Sequence, residues 1–157
     1  MFASDVPLHL FHHGENFKAF EFFGSHPAIV GEKRGYVFRV WAPRAVSVSV
    51  VGEFNNWNEE THPMERLIDG ETFELFIPSL KQFTSYKYCI QTQDGRKLLK
   101  ADPFAFHTET PGVERSNASK LYNLSGFKWS DKAYLDKQKH KRIMTTKKRS
   151  KRANRRG

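Results

Sequence analysis

A chain of 157 residues has room for one domain with a sizeable core, or for one domain with a tail, and is too short for two large domains. Its hydrophobic fraction is 38%, and 14% of its residues are aromatic, so a packed core is feasible. The net charge is +9, but eleven of the 26 Lys and Arg residues lie in residues 137–157, which hold no acidic residue. Residues 1–136 then carry 15 basic and 17 acidic side chains, so their charge does not indicate a nucleic-acid-binding domain.

The single cysteine, Cys89, excludes an internal disulfide, and a cytoplasmic location is therefore expected. The N-terminal residues lack a basic region followed by an unbroken apolar core, which a secretory signal requires. No stretch approaches the ~18 consecutive apolar residues of a membrane span. We expect a soluble protein without a membrane partner.

The first 27 residues predict a short helical leader. Leu8 and Phe11 fall at i, i+3 spacing, as do Phe17 and Phe20, and this spacing is typical of helices. The segment HHGEN, residues 12–16, separates the two pairs and contains a helix-breaking glycine. Two short helices are therefore expected before a domain over residues 28–125.

Residues 28–125 predict an antiparallel β-sandwich. Alternating apolar residues recur about every ten positions, with turn residues between them, in GYVFRVW, AVSVSVV, TFELFIP and YKYCIQ. Asp94 and Gly95 predict a hairpin that returns the chain into RKLLK. The expected fold is mainly β, an immunoglobulin-like sandwich.

The alternation also predicts which side chains face the core. In the second segment, Val46, Val48 and Val50 are expected on one face. In the last two segments, the inward residues are expected to be Phe73, Leu75, Ile77, Tyr86, Tyr88 and Ile90.

Four other features receive structural interpretations. Lys87 is expected on the face opposite the core, and Cys89 as a small buried hydrophobe. Trp41 is interpreted as a strand-end aromatic packed on the core. The segment ADPF, residues 101–104, is interpreted as a turn.

The sequence VVGEFNNWNEE, residues 50–60, places a tryptophan on the loop after a predicted strand. An aromatic ring stacks on the apolar faces of sugars, and amides hydrogen-bond their hydroxyls. Asn55, Asn56 and Trp57 are therefore candidate glucan-binding residues. Asn pairs are also common in turns, and Trp57 could instead cover the core or face a partner domain.

No catalytic constellation is found in the sequence. The seven histidines have no metal-ligand spacing, and there is no nucleophile-elbow, phosphate-binding glycine or paired-cysteine motif. Glu53, Glu59 and Glu60 are expected to be ordinary ionised carboxylates in an exposed loop. Neither a cofactor nor a bound metal is expected.

Six segments occur in an order and at a spacing that resemble the N-terminal region of bacterial 1,4-alpha-glucan (glycogen) branching enzymes. The segments are GYVFRVWAP, VSVVGEFNNW, HPMER, FELFIP, YKYCIQTQDGRKLLKADPFAF and SNASKLYNLSGFKWSD. The preceding LHLFHHGENFKAFEFFGSHP is similar to the leader of these enzymes in Gram-positive bacteria. The resemblance covers residues 8–143, most of the chain.

This resemblance implies a family-48 carbohydrate-binding module, which the branching enzymes fuse to a catalytic (β/α)8 barrel. The barrel carries an Asp and a Glu that cut an α-1,4 linkage and rejoin it as an α-1,6 branch, chemistry that needs two closely spaced carboxyls. A barrel alone takes about 250 residues. This chain is therefore expected to be noncatalytic, a truncated N-terminal module associated with α-glucan (glycogen) or with a barrel domain.

Related modules, such as the glycogen-binding module of the AMP-activated kinase, contact glucan through the Trp of the FNNW loop and the Lys of a YK pair. The matching positions are Trp57 and Lys87. The second aromatic of these modules, shortly after the hairpin turn, has no counterpart, since Arg96 and Lys97 stand there. Glucan affinity is therefore expected to be weak or absent, and Trp57 could instead contact the barrel.

Residues 126–143 resemble the linker that leads into the barrel. Residues 144–157 depart from the family and have too few apolar residues to fold alone, so they predict a disordered basic tail, produced by a frameshift, a premature stop or a fragment boundary. Weak, nonspecific polyanion binding is expected of such a tail. Two alternatives to glucan binding stay open, a docking module without sugar affinity and a nucleic-acid-binding protein that acts through the tail.

Overall fold

The structure, a computed structural model, describes residues 5–15, 18–109 and 117–124. The chain divides into two units, residues 1–123 and 124–157, and every helix and strand given below belongs to the first. The predicted linker, residues 126–143, and the predicted basic tail, residues 144–157, lie outside the described residues.

Two short helices precede the sheets, as the leader pattern predicts. Helix α1 spans Asp5–His12 and helix α2 spans Ala19–Phe22. The small apolar cluster that holds the leader consists of Leu8, Phe22, Phe23 and Leu67. A helix of eight residues is marginal alone in water, so burial of Leu8 in this cluster stabilises α1. Phe17, the third residue of the predicted helical pattern, lies outside the described residues.

Two antiparallel sheets follow the leader. Within the described residues the strands are β1 (Gly24–Val30), β2 (Lys33–Trp41), β3 (Ala45–Gly52), β4 (Glu65–Arg66), β5 (Thr72–Pro78), β6 (Ser85–Thr92), β7 (Lys97–Lys100), β8 (His107–Thr108) and β9 (Ser119–Lys120). One sheet has the order β1-β2-β5-β4, and the other has the order β3-β6-β9-β8 with β7 also paired to β6. The chain is therefore mainly β, an immunoglobulin-like sandwich as predicted.

The main core lies between the two sheets. Its buried residues include Tyr36, Phe38, Val40, Val48, Val50, Phe73, Ile77, Tyr86, Tyr88 and Leu121, with Leu75 and Ile90 packed against it. The predicted inward faces of β5 and β6 are thus confirmed, as is the burial of Cys89, which is 6% exposed. Strands β6 and β7 pair across the turn at Asp94 and Gly95, so the predicted hairpin is also confirmed.

Strand β1 begins at Gly24, inside the segment that the sequence assigns to the leader. Its sequence, GSHPAIV, contains a proline, which cannot donate to a sheet ladder and argues against a strand. The structure accommodates Pro27 because β1 is at the edge of its sheet and pairs with β2 alone. Proline is tolerated in edge strands, and sequence alternation alone does not reveal this position.

The expected inward position of Val46 is wrong. The register of β3 and β6 shifts between Ala45 and Ser47, where a bulge interrupts the regular pairing. A bulge adds one residue and breaks the two-residue alternation of faces. Val48 and Val50 are therefore fully buried, whereas Val46 is 50% exposed.

The expected packing of Trp41 on the core is also wrong. Trp41 ends β2 and is 45% exposed. Its ring lies edge-to-face against Phe11 with centroids 5.6 Å apart, and its Nε1 donates to Glu71 at 3.0 Å. Trp41 thus contacts the leader helix on the outer side of the sheet.

The predicted turn in the ADPF segment is present and contains a buried carboxylate. Asp102 is 5% exposed and accepts hydrogen bonds from the hydroxyls of Tyr86 at 2.6 Å and Tyr88 at 3.2 Å. Its backbone N–H donates to Ser119 Oγ at 2.8 Å. Asp102 therefore ties the turn to strands β6 and β9.

Candidate functional site

The candidate loop begins where β3 ends. After Gly52 the chain makes a single 3₁₀ turn over Glu53–Asn55, and two successive residues then adopt left-handed backbone conformations, Asn56 with φ 52° and Trp57 with φ 59°. The backbone N–H of Trp57 donates to the carbonyl of Gly52 at 3.0 Å. Left-handed conformations are uncommon for residues other than glycine, and a bulky residue such as Trp rarely adopts one. The loop therefore turns sharply back on the strand and holds Trp57 at the rim of the sandwich.

The Asn55 side chain organises this loop. Its Oδ1 accepts a hydrogen bond from the Gly52 N–H at 2.9 Å. Its Nδ2 lies 3.0–3.1 Å from four acceptors, which are Val50 O, Asn58 O, Thr61 Oγ1 and His62 Nδ1. Burial lowers the pKa of His62, which favours the neutral ring whose Nδ1 accepts from Asn55. Both the oxygen and the nitrogen of the Asn55 amide contact groups within the loop. Asn55 therefore supports the backbone that carries Trp57.

The two other candidates of the loop face outward. Asn56 is exposed, and Trp57 is 39% exposed although it is large and apolar. Burial of an aromatic side chain of this size removes a large apolar area from water. A ligand that stacks on Trp57 would therefore gain apolar contact, with the Asn56 amide beside it on the chain.

Lys87 is at the same end of the sandwich as the loop. It is partly buried on the outward side of β6, and its register partner in β3 is Val51, the residue before Gly52. The expected side of Lys87 is confirmed, since its neighbours Tyr86 and Tyr88 point into the core. The structure thus brings Lys87 and the start of the Trp57 loop together on neighbouring strands.

An ion pair that the sequence does not reveal joins the loop to the hairpin. Glu59 accepts from the ammonium of Lys97 in β7, and the Cys89 thiol donates to the same carboxylate at 3.7 Å. The hydrogen bond from Lys97 lowers the pKa of Glu59. Burial is the main cause that raises the pKa of the Cys89 thiol. Glu59 is thus a loop anchor rather than a simply solvated carboxylate. Glu59 and Lys97 are 38 positions apart in the chain, so no local sequence pattern signals their contact.

Among residues 5–15, 18–109 and 117–124, no group of three or more His, Cys, Asp or Glu side chains is placed to hold a metal ion. In the same part of the chain, no helix is long and apolar enough to cross a membrane. The described residues form a β-sandwich and its leader, and they include no (β/α)8 barrel.

The described residues form a sandwich scaffold with a braced loop that exposes an aromatic ring. Comparison with protein families gives its class. Residues 22–105 match the family Carbohydrate-binding module 48 (Isoamylase N-terminal domain). The match covers more than half of the chain, which therefore belongs to this family.

The chain is similar in sequence to branching enzymes over most of its length. The chain is 44% identical over 141 residues to the 1,4-alpha-glucan branching enzyme GlgB of Butyrivibrio fibrisolvens and, over the same length, to that of Bacillus subtilis (strain 168). In both cases the match covers 90% of this chain and 22% of the relative. The chain therefore spans about a fifth of the length of these relatives.

Solved structures show the same fold. Pullulanase from Bacillus acidopullulyticus matches with a TM-score of 0.51 and 20% identity, over 69% of this chain and 12% of that one. Klebsiella pneumoniae pullulanase complexed with maltotriose matches with a TM-score of 0.50 and 24% identity, over 65% of this chain and 10% of that one. At these identities the likeness concerns the fold.

Proposed function

We propose that this chain is the noncatalytic N-terminal module of a 1,4-alpha-glucan branching enzyme of glycogen biosynthesis, and that it binds or positions α-glucan through Trp57. The observation that carries the proposal is the exposed Trp57 ring on a loop braced by Asn55 and Glu59. The family match and the branching-enzyme relatives support α-glucan as the ligand. The cytoplasmic location expected from the single cysteine belongs to the same proposal.

The proposed contact follows from the chemistry of the loop. A pyranose ring has an apolar C–H face that stacks on an aromatic ring, and its hydroxyls accept and donate at the edge. Two polar residues are candidates for contact with these hydroxyls. Asn56 precedes Trp57 in the loop, and Lys87 lies on the neighbouring strand β6. A loop already fixed before binding loses little conformational entropy, which favours affinity.

Affinity electrophoresis through gels with and without glycogen tests the proposal. The wild-type chain is expected to be retarded by glycogen at a salt concentration that suppresses polyanion binding. Trp57→Ala is expected to weaken the affinity at least about tenfold, because a central aromatic anchor carries much of the binding free energy. A deletion of residues 137–157 is expected to leave the retardation unchanged.

Trp41→Ala is the matched control, because Trp41 is similarly exposed, at 45%, but ends β2 at the other end of the sandwich. Its glycogen affinity is expected to equal that of the wild type. Equal retardation of wild type and Trp57→Ala would remove Trp57 from the site. Retardation that disappears with residues 137–157 would instead assign the binding to the basic segment.

A second candidate function, docking onto a catalytic domain, is favoured by exposed apolar residues at the end opposite Trp57. Trp41, Val46 and Ile68 are 45%, 50% and 72% exposed. Arg66 donates to the carbonyls of Val46 and Gly70, which brings the Ile68 turn next to β3. Exposed apolar groups that a partner domain would cover favour self-association. Sedimentation of the wild type as a monomer at high concentration would argue against this candidate.

A further inference from the structure

A second exposed aromatic group lies across the same sheet from Trp57. Phe83, His107 and Tyr122 contact one another, with ring centroids 5.6 Å apart for Phe83 and His107, 5.9 Å for Phe83 and Tyr122, and 6.1 Å for His107 and Tyr122. Phe83 is 51% exposed, His107 is exposed and Tyr122 is partly buried. These three residues are called the ring cluster below.

Phe83 has a backbone conformation that is unusual for its residue type. Phe83 has φ 67°, in the left-handed region that bulky residues rarely adopt. Its N–H donates to the Leu121 carbonyl at 2.7 Å, which fixes the loop next to the end of β9. About half of the Phe83 side chain stays exposed, so its burial offsets this conformation less than full burial would. Residues held in such conformations concentrate at ligand-binding positions.

The ring cluster and the Trp57 loop are at the same end of the sandwich. Gly52, which starts the Trp57 loop, is the register partner of Tyr86 in β6, three residues after Phe83. On the other side of β6, Tyr86 pairs with Ser119 of β9, and β9 pairs with β8, which contains His107. Strands β3 and β9 are two strand spacings apart, about 10 Å. A chain of linked sugars that crosses this end can therefore meet both aromatic groups.

The size and surroundings of the ring cluster favour a sugar over a protein partner. Three partly covered rings present far less area than the roughly 800 Å² per partner that a standard protein interface buries. The residues that flank Phe83 in the chain are polar, with Lys81 and Gln82 exposed and Thr84 half-buried. Flat apolar faces that carry a hydroxyl, on Tyr122, and an imidazole, on His107, suit a pyranose ring and its hydroxyls.

We propose that the ring cluster is a second α-glucan contact and that a single glucan chain spans from Trp57 to Phe83. The inference rests on the proposed function, because it extends the same ligand to a second aromatic group. Two linked contacts raise the affinity for long glucans through effective concentration, without strengthening either contact. Phe83 and Tyr122 provide the stacking surface, and His107 supports the Phe83 ring.

Titration calorimetry with maltoheptaose and with maltose tests the span. Phe83→Asn removes the ring but suits the left-handed backbone, which Asn tolerates better than Phe. It is expected to weaken maltoheptaose binding about two- to tenfold, the loss of one aromatic contact, and to reduce the affinity advantage of maltoheptaose over maltose. Phe83→Trp retains a stacking surface and is expected to bind like the wild type.

The urea unfolding midpoint of Phe83→Asn is expected to equal or exceed that of the wild type, so a weaker affinity would not reflect misfolding. Phe20→Ala is the matched control, an aromatic residue 45% exposed on α2, and is expected to bind normally. Unchanged maltoheptaose affinity in Phe83→Asn, with loss in Trp57→Ala, would overturn the span and leave the proposed function standing. Weaker maltoheptaose binding in Phe83→Asn, with unchanged binding in Trp57→Ala, would also overturn the span. The ring cluster would then remain a glucan contact, and Trp57 would not be one. No glucan binding by the wild type would overturn both proposals.

Discussion

The two adjacent asparagines of the Trp57 loop have different roles. Asn55 donates and accepts within the loop, bonding Gly52 and contacting the segment from Asn58 to His62. Asn56 is exposed, and its φ of 52° is one that asparagine tolerates. The sequence presents both as sugar-binding candidates, whereas the structure uses Asn55 to hold the loop. Their contributions to stability are therefore expected to differ.

Asn55→Ala is expected to lower the free energy of unfolding by about 1–3 kcal/mol, because it leaves the Gly52 N–H and several loop acceptors without their partner. Asn56→Gly is the matched control and is expected to change it by less than about 0.5 kcal/mol, since glycine adopts the left-handed conformation readily. Urea unfolding followed by circular dichroism measures both. Equal effects of the two substitutions would contradict the scaffold role of Asn55.

Strand β3 shows how one bulge redistributes side chains within an element. The register shift between Ala45 and Ser47 leaves Val48 fully buried and Val46 half-exposed, although the two residues are two positions apart. In a regular strand such residues share a face. The bulge lies near the start of β3, and Arg66 donates to the carbonyls of Ala45 and Val46 there at 3.0 and 2.9 Å. A contact from outside the strand thus accompanies the irregular pairing.

Threonine substitutions distinguish the two faces. Val48→Thr places a hydroxyl in the core and is expected to cost about 1–3 kcal/mol of unfolding free energy. Val46→Thr places the same group on the exposed face and is expected to change stability by less than about 0.5 kcal/mol. Urea unfolding midpoints measure the pair. A large cost at both positions would mean that β3 runs without the bulge.

At the scale of the whole molecule, a buried carboxylate connects distant parts of the sandwich. Asp102 accepts from Tyr86 and Tyr88 of β6, and the Tyr86 hydroxyl lies 3.0 Å from Ser25 Oγ in β1. Burial raises the pKa of Asp102 above its ordinary value of 3.8, although the hydrogen bonds from the tyrosines oppose the shift. The folded state therefore binds a proton at Asp102 more tightly than the unfolded chain does. This difference makes stability depend on pH.

The Asp102 contribution to the free energy of unfolding is expected to be fully present below pH 3.8 and to decrease as the pH rises through the folded pKa. Asp102→Asn removes this titration, so the stability difference, wild type minus variant, is expected to fall as pH rises above 3.8. Urea midpoints at a series of pH values measure it.

Asp94→Asn provides a control of opposite sign. Hydrogen bonds from Thr92 and then Arg96 lower the pKa of Asp94, so its contribution is lost as the pH falls. The difference between wild type and Asp94→Asn is therefore expected to grow with pH over the acidic range. A stability difference for Asp102→Asn that is flat with pH would show that burial and hydrogen bonding at Asp102 cancel.

The sequence by itself determined the features that depend on local alternation and turn chemistry. The two-residue period located β2, β5 and β6 and most of their inward side chains, and Asp94–Gly95 located the hairpin. The NNW segment placed an aromatic ring on a rim loop, and the order of six motifs pointed to the family. These signals are readable because neighbouring residues in a strand alternate faces whatever the rest of the chain does.

Only the tertiary structure decided the features that depend on residues far apart in the chain. The edge position of β1 accommodates its proline, and the bulge in β3 turns Val46 outward. Trp41 packs against Phe11 of the leader. The Glu59–Lys97 ion pair and the ring cluster of Phe83, His107 and Tyr122 likewise form across the fold. Such contacts arise when sheets pair and pack, and no window of sequence contains both partners.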